Sequence, residues 1–141
     1  MKYILFIFFL VAAQITSFAQ VDNSGKSNAS SKDITEKGLF KISVMYPSTE
    51  GATFNMAYYE THHMPMVAAF IGSNLIRYTI EKVVSSGVPN QPLPYIAIGT
   101  FYVKSVDDYR AAIAPNRDAI RADFANYTNV TPIILVSEVV R

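Results

Sequence analysis

The hydrophobic period of this chain switches back and forth between strand and helix spacing from Leu39 to Val140, and the order of the switches leaves few folds open. In "LFKISVMYP", Phe40, Ile42, Val44 and Tyr46 fall on one side and Lys41, Ser43 and Met45 on the other. That is the period of two of a strand with one core face. After "STEGATF" the period lengthens: Met56, Tyr59, His63, Val67 and Phe70 recur at helical spacing, with Asn55 as N-cap and Gly72 as stop. Pro65 removes one helical hydrogen bond and disfavours helical angles at Met64. The spacing therefore predicts a helix to about His62, a kink, and a second piece starting near Pro65.

In "NLIRYTIEKVV", Ile76, Tyr78 and Ile80 alternate with Arg77, Thr79 and Glu81, giving a second strand. "SSGVPNQPLP" is a loop, and "YIAIGTFYVK", apolar on both faces, reads as a central strand. "SVDDYRAAIAPNRDAIRADFANYTN" opens with Ser105 three residues before Asp108, close to a capping box, and continues helical with a break near Ala114-Pro115. "TPIILVSEVV" is the last strand. The order βαββαβ is the ferredoxin-like split motif of the α+β class, a four-stranded antiparallel sheet with two helices on one face. Such a sheet leaves its second face bare. Neighbours on a strand point opposite ways, so Tyr95, Ile96, Ala97, Ile98, Phe101 and Tyr102 cannot all face the helices. An apolar second face predicts a homodimer joined sheet to sheet.

Half of the 141 residues are apolar, but part of that richness lies in "MKYILFIFFLVAAQITSFAQ". Lys2, the uncharged block Tyr3 to Ala13, and small residues at Ser17 and Ala19 form the pattern of a secretory signal cut after Ala19. A block this short does not reach the roughly 20 apolar residues of a membrane span. The expected organisation is a signal at 1–19, a flexible linker at 20–38 and one domain at 39–141, with a secreted or periplasmic product and no membrane attachment after cleavage. No cysteine follows the cleavage point or occurs anywhere, so stability has to come from packing or association. Without Lys2 the basic and acidic residues balance at eleven each, and no basic cluster favours nucleic acid.

Both histidines of the chain, His62 and His63, stand side by side just before Pro65. His63 lies on the inward stripe and His62 is rotated off it. One reading of His63 is a hydrogen-bonded core residue that steadies the kink. The other is a proton carrier lining a small pocket, because imidazole offers both protonation states near neutral pH. Tyr59, one turn earlier on the same face, can orient that ring, bind a substrate oxygen, or simply fill the core. Tyr58 is a weaker candidate by the same geometry. Adjacent histidines diverge on a helix, and neither cysteines nor regularly spaced carboxylates complete a shell, so no metal site is expected. The chain has no Gly-rich dinucleotide fingerprint and no cofactor is expected.

Tyr46-Pro47, Tyr58-Tyr59 with His63-Met64-Pro65, and the run "FANYTNVTPIILVSEVV" from Phe124 to Val140 resemble the EthD family of the dimeric α+β barrel group. The resemblance spans Leu39 to Arg141. Where that family often carries Asp, this chain has Asn55. The resemblance implies a dimeric α+β barrel, points to His63 rather than His62, and brings the family name of reductase. Relatives in the wider group include decarboxylases, lactone isomerases, cofactor-free oxygenases and haem enzymes, and the fold does not choose among them. Two classes of function follow. One is a cofactor-independent enzyme that acts on an apolar or aromatic small molecule by proton transfer at His63, with Tyr59 beside it. The other is a non-catalytic binding or dimerisation module, with a haem-binding barrel as a variant. If the export reading is right, N-terminal sequencing of protein released by its native host begins at Gln20; full-length chain held in the cytoplasm would contradict it.

Overall fold

The computed structural model describes residues 36–141; the expected signal and most of the expected linker lie outside the described residues. Strand β1 (Phe40–Pro47) leads into a helical stretch made of α1 (Met56–Tyr58), a π-helical turn (Tyr59–His63) and α2 (Met64–Ile71). Strands β2 (Leu75–Lys82) and β3 (Tyr95–Val103) follow, then α3 (Val106–Ile113), α4 (Arg117–Asp123) and β4 (Ile133–Glu138). The sheet order is β2-β3-β1-β4 and every pairing is antiparallel, which is the ferredoxin-like arrangement.

Register decides which side of the sheet is core. Ile42 pairs with Phe101, Val44 with Gly99 and Tyr46 with Ala97, so these six residues share a face. Ile42, Tyr46, Ala97 and Phe101 are buried there in one cluster with Tyr59, Met64, Val67 and Ile71 of the first helical stretch. Tyr109, Ile113, Ile120 and Phe124 of the second stretch pack against the same cluster. Both helical layers therefore cover one face of the sheet, and β1 and β3 take the central positions.

A second helical piece starts beside Pro65 as the sequence predicts, but a π turn, with helical angles kept throughout, takes the place of a break before it. His63 (φ −62°, ψ −54°) and Met64 (φ −64°, ψ −43°) keep helical angles. The turn ahead of the proline is widened: Met64 N–H donates to the Tyr59 carbonyl across a π turn, and Pro65, which has no N–H to give, follows directly in the first turn of α2. The wider turn also shifts the phase. His63 and Met64 both point inward, and the stripe continues through Val67 to the buried Ile71 instead of the expected Phe70, which is only half-buried. The two caps form as expected, with the Asn55 side chain accepting from Tyr58 N–H and the Ser105 side chain from Asp108 N–H. Gly72 ends α2 with φ +61°.

The far face of the central strands is mixed in character. It carries Lys41, Ser43 and Met45 from β1 opposite Tyr102, Thr100 and Ile98 from β3. The Arg77 guanidinium stacks 3.6 Å from the Tyr102 ring centroid. The apolar surface left open is concentrated on edge strand β4, where Ile133, Ile134, Leu135 and Val136 are each about half exposed. Glu36 and Gly38 join the folded unit ahead of β1, Glu36 through Arg77 (2.6 Å) and Gly38 through its N–H to the Val139 carbonyl (2.8 Å).

Gly99 is where the helical layer comes closest to the sheet. A Cβ on Gly99 would overlap the Tyr59 hydroxyl and stand 3.1 Å from Met64 Sδ. The missing side chain is thus a socket for the Tyr59 phenol. Gly99→Ala should lower unfolding stability by about 1–3 kcal/mol, as overpacking of a close-packed core does. Removing the intruding hydroxyl with Tyr59→Phe in the same chain should return part of that loss. Urea unfolding of the two single variants and the double variant reads this directly; strictly additive losses would show that the socket is not the cause.

Candidate active site

His63 sits on the inner side of the π turn and is buried (4% exposed). Its Nδ1 lies 2.7 Å from Asp123 Oδ2 and its Nε2 lies 3.2 Å from the Tyr127 hydroxyl. A carboxylate only accepts, so Nδ1 carries the proton and donates to Asp123. In the neutral ring Nε2 is then an acceptor, and the Tyr127 O–H donates to it. The Tyr127 oxygen is 2.8 Å from the Tyr46 hydroxyl, which extends the chain by one phenol. Asp123, His63, Tyr127 and Tyr46 thus form one continuous hydrogen-bonded line from the end of α4 to the middle of the sheet.

Each member is held from outside the line. Asp123 Oδ1 accepts from the Tyr58 hydroxyl (2.7 Å) and from Asn126 Nδ2 (2.9 Å). The segment carrying Tyr127 is clasped to the chain just before α1. Asn55 N–H donates to the Tyr127 carbonyl (2.7 Å), Thr128 Oγ1 to the Thr53 carbonyl (2.9 Å), and Thr53 N–H to Asn129 Oδ1 (2.8 Å). Tyr59 stacks on the imidazole with ring centroids 5.5 Å apart and planes 16° from parallel. Phe124 meets the same ring edge-on at 5.7 Å.

The protonation states follow from burial and partners. Burial pushes His63 below the ordinary imidazole value of 6.5, and the hydrogen bond and charge of Asp123 only partly offset this. His63 is therefore neutral at pH 7. Burial alone would raise Asp123, but hydrogen bonds from Tyr58, His63 and Asn126 outweigh it and hold the carboxyl below its usual range. Burial lifts the phenols of Tyr46, Tyr59 and Tyr127 well above the ordinary tyrosine range, so none of them is a standing phenolate. A proton can cross Tyr127 and Tyr46 only in step with its uptake or release at His63 Nε2.

The line borders a cavity of about 180 Å³ between the helices and the sheet. Tyr46, Tyr59, His63 and Phe101 contribute its inner wall, and Val67, Ile113, Ile120 and Ile134 make most of the remainder apolar. Arg117 and Arg121 complete the lining from α4.

Of the residues singled out from sequence, the structure brings His63 and Tyr59 to this cavity together. They touch as stacked rings; the Tyr59 hydroxyl reaches Gly99 instead of the imidazole nitrogens, so orientation of the ring falls to Asp123 and Tyr127. His62 is exposed, stacked on the outer side of Tyr58 at 4.7 Å and hydrogen-bonded to Thr61 Oγ1. Tyr58 serves the site indirectly, through Asp123. Sequence reasoning missed Asp123 altogether and assigned no role to Tyr46 or Tyr127, although both tyrosines lie in the quoted motifs. A haem fits poorly here, since the Tyr127 hydroxyl holds the Nε2 that would meet the iron and a cavity of about 180 Å³ is smaller than ordinary cofactor pockets. Among the described residues no group of three or more His, Cys, Asp or Glu side chains comes together as a metal shell.

Comparison with known proteins agrees with this architecture. A family model described as the EthD domain matches residues 49–131, a span that holds His63, Asp123 and Tyr127. An EthD-like protein of known structure from Ralstonia eutropha JMP134 is 41% identical, with a TM-score of 0.70, over 74% of this chain and 95% of that one. An ethyl tert-butyl ether D family protein from Bacillus halodurans C-125 shares 15% identity and a TM-score of 0.53 over 72% of this chain and 98% of that one, a likeness of fold. No protein of curated function matches the chain. With a matching family model over more than half its length and a close structural relative covered almost end to end, this chain belongs to the EthD family.

Proposed function

We propose that the protein is a cofactor-independent enzyme that moves a proton on a small apolar or aromatic substrate bound in the 180 Å³ cavity. The observation that carries this reading is the line Asp123–His63–Tyr127–Tyr46, which joins a neutral buried imidazole to the cavity wall. Both nitrogens of His63 are engaged, and Tyr46 is the member of the line beyond them that borders the cavity, so this reading takes the Tyr46 hydroxyl as the group that meets the substrate. A substrate proton passes to the Tyr46 oxygen as the Tyr46 proton moves to Tyr127 and the Tyr127 proton to His63 Nε2. The bonding pair stays on the substrate as an enolate-type anion. Asp123 stabilises the imidazolium that results, and the reverse flow returns a proton to the same carbon or to another. In this reading the enzyme is exported, as Lys2 and the apolar block after it suggest, and works as a homodimer that covers the open apolar surface of β4.

The test is hydrogen exchange. One-ring phenolic and lactone compounds are incubated with the full-length protein in D₂O, and deuterium at carbon is followed by NMR. His63→Asn should slow exchange by roughly 10²–10⁴-fold while keeping a polar side chain at the π turn. Tyr46→Phe should lose activity on the same scale, and His62→Ala should change almost nothing. Equal exchange by wild type and a folded His63→Asn protein would leave the histidine structural and favour a binding module.

The pH dependence has a definite sign. The working form of His63 is the free base, so kcat/KM is full above its lowered pKa and falls as the pH drops through that value, at a pH below 6.5. Asp123→Asn removes the one influence that raises the imidazole, so the acid limb should move to still lower pH. Folding stability shares the direction. Between the lowered value and 6.5 the unfolded chain binds a proton that the folded chain refuses, so stability falls as the pH is lowered through that window. Titration of kcat/KM and of the urea midpoint in wild type and Asp123→Asn checks both statements.

A further inference from the structure

The residues that line the cavity are apolar or phenolic except for His63, Arg117 and Arg121. These arginines stand four residues apart on α4, so they project from the same side of that helix. Both are exposed, and among the described residues neither forms an ion pair. No carboxylate lines the cavity. The nearby acid of the site, Asp123, has both oxygens committed to Tyr58, Asn126 and His63. Two like charges at this spacing repel one another, and an anion placed between them would turn that repulsion into attraction. Cavity size limits the rest of the ligand. An enclosed apolar cavity of about 150 Å³ accepts benzene, so 180 Å³ suits a body of one ring.

We infer that the ligand of this site is a compact one-ring acid, with its apolar ring in the cavity and its carboxylate held by Arg117 and Arg121. This rests on reading the cavity as the substrate site and adds a substrate class to it. The arginines bind and orient; they stand apart from the His63 proton line and take no proton. A carboxylate fixed at α4 would leave the far side of the ring turned toward Tyr46.

Binding, rather than turnover, tests the assignment. Benzoate and its neutral isostere benzamide are titrated into the full-length protein, with Kd measured by NMR chemical-shift change. Wild type should bind benzoate about tenfold or more tightly than benzamide, the scale of a charge-assisted contact in a partly dry site. In Arg117→Gln/Arg121→Gln the two ligands should bind within about twofold of each other, with benzamide unchanged from wild type as the sign that the cavity is intact. His63→Asn should keep the preference for the acid. Equal affinity for the two ligands in wild type, no measurable binding of either, or a preference that survives in the double variant would overturn the inference. Because no turnover is read, a clear preference for benzoate in a protein that exchanges no substrate protons would sink the catalytic proposal alone.

Discussion

A proline in the middle of a helix has no N–H to give, and the local geometry of this site follows from how the chain answers that lack. A regular helix would lose a hydrogen bond at Pro65 and crowd the preceding turn. Here the turn before it widens, so that Met64 closes on Tyr59 five residues back and Pro65 follows at the start of α2. The wide turn sets two consecutive side chains inward. Met64 packs against the sheet at Gly99 and His63 meets Asp123 and Tyr127. π turns recur at functional sites for this kind of reason.

Around that turn the protein meets an exacting polar problem. A buried imidazole, three buried phenols and a nearly buried carboxylate each need partners, and an unmet one costs about 1–3 kcal/mol. Among the described residues every buried side-chain nitrogen and oxygen has one. The partners come from distinct elements: Tyr46 from β1, His63 from the first helical stretch, Asp123 from the end of α4 and Tyr127 from the loop beyond it. The network therefore steadies the approach of the two helical layers to the sheet while it tunes His63.

Most of the architecture was legible because it is written in periodicity. Alternation in β1, the two-sided apolar run of β3 and the capping residues Asn55 and Ser105 are local patterns, and the structure repeats them; β2 forms where it was expected, but Ile76 and Tyr78 of its apolar side lie exposed on the sheet edge. The π turn was not legible, because a mid-helix proline reads as a break and no local pattern separates a broken turn from a widened one. The site was half legible. The position of His63 on the inward stripe is a matter of spacing along one helix. Asp123 is one of two acids on α4, and nothing local separates it from Asp118, which faces solvent. Tyr46 and Tyr127 are brought together across 81 residues of sequence, a proximity that belongs to strand order and not to any window of the chain.

That distance bears on how the site comes into being. His63 finds its acid 60 residues downstream and its phenol 64 residues downstream, through contacts that the clasp between Thr53–Asn55 and Tyr127–Asn129 draws shut. Contacts of such long range close slowly and late, after local helices and hairpins have formed. During synthesis the first helical stretch emerges with a solvated, ordinary histidine. Its depressed basicity and its proton line are acquired only when the last third of the chain docks, so the chemistry of this residue is a property of chain closure.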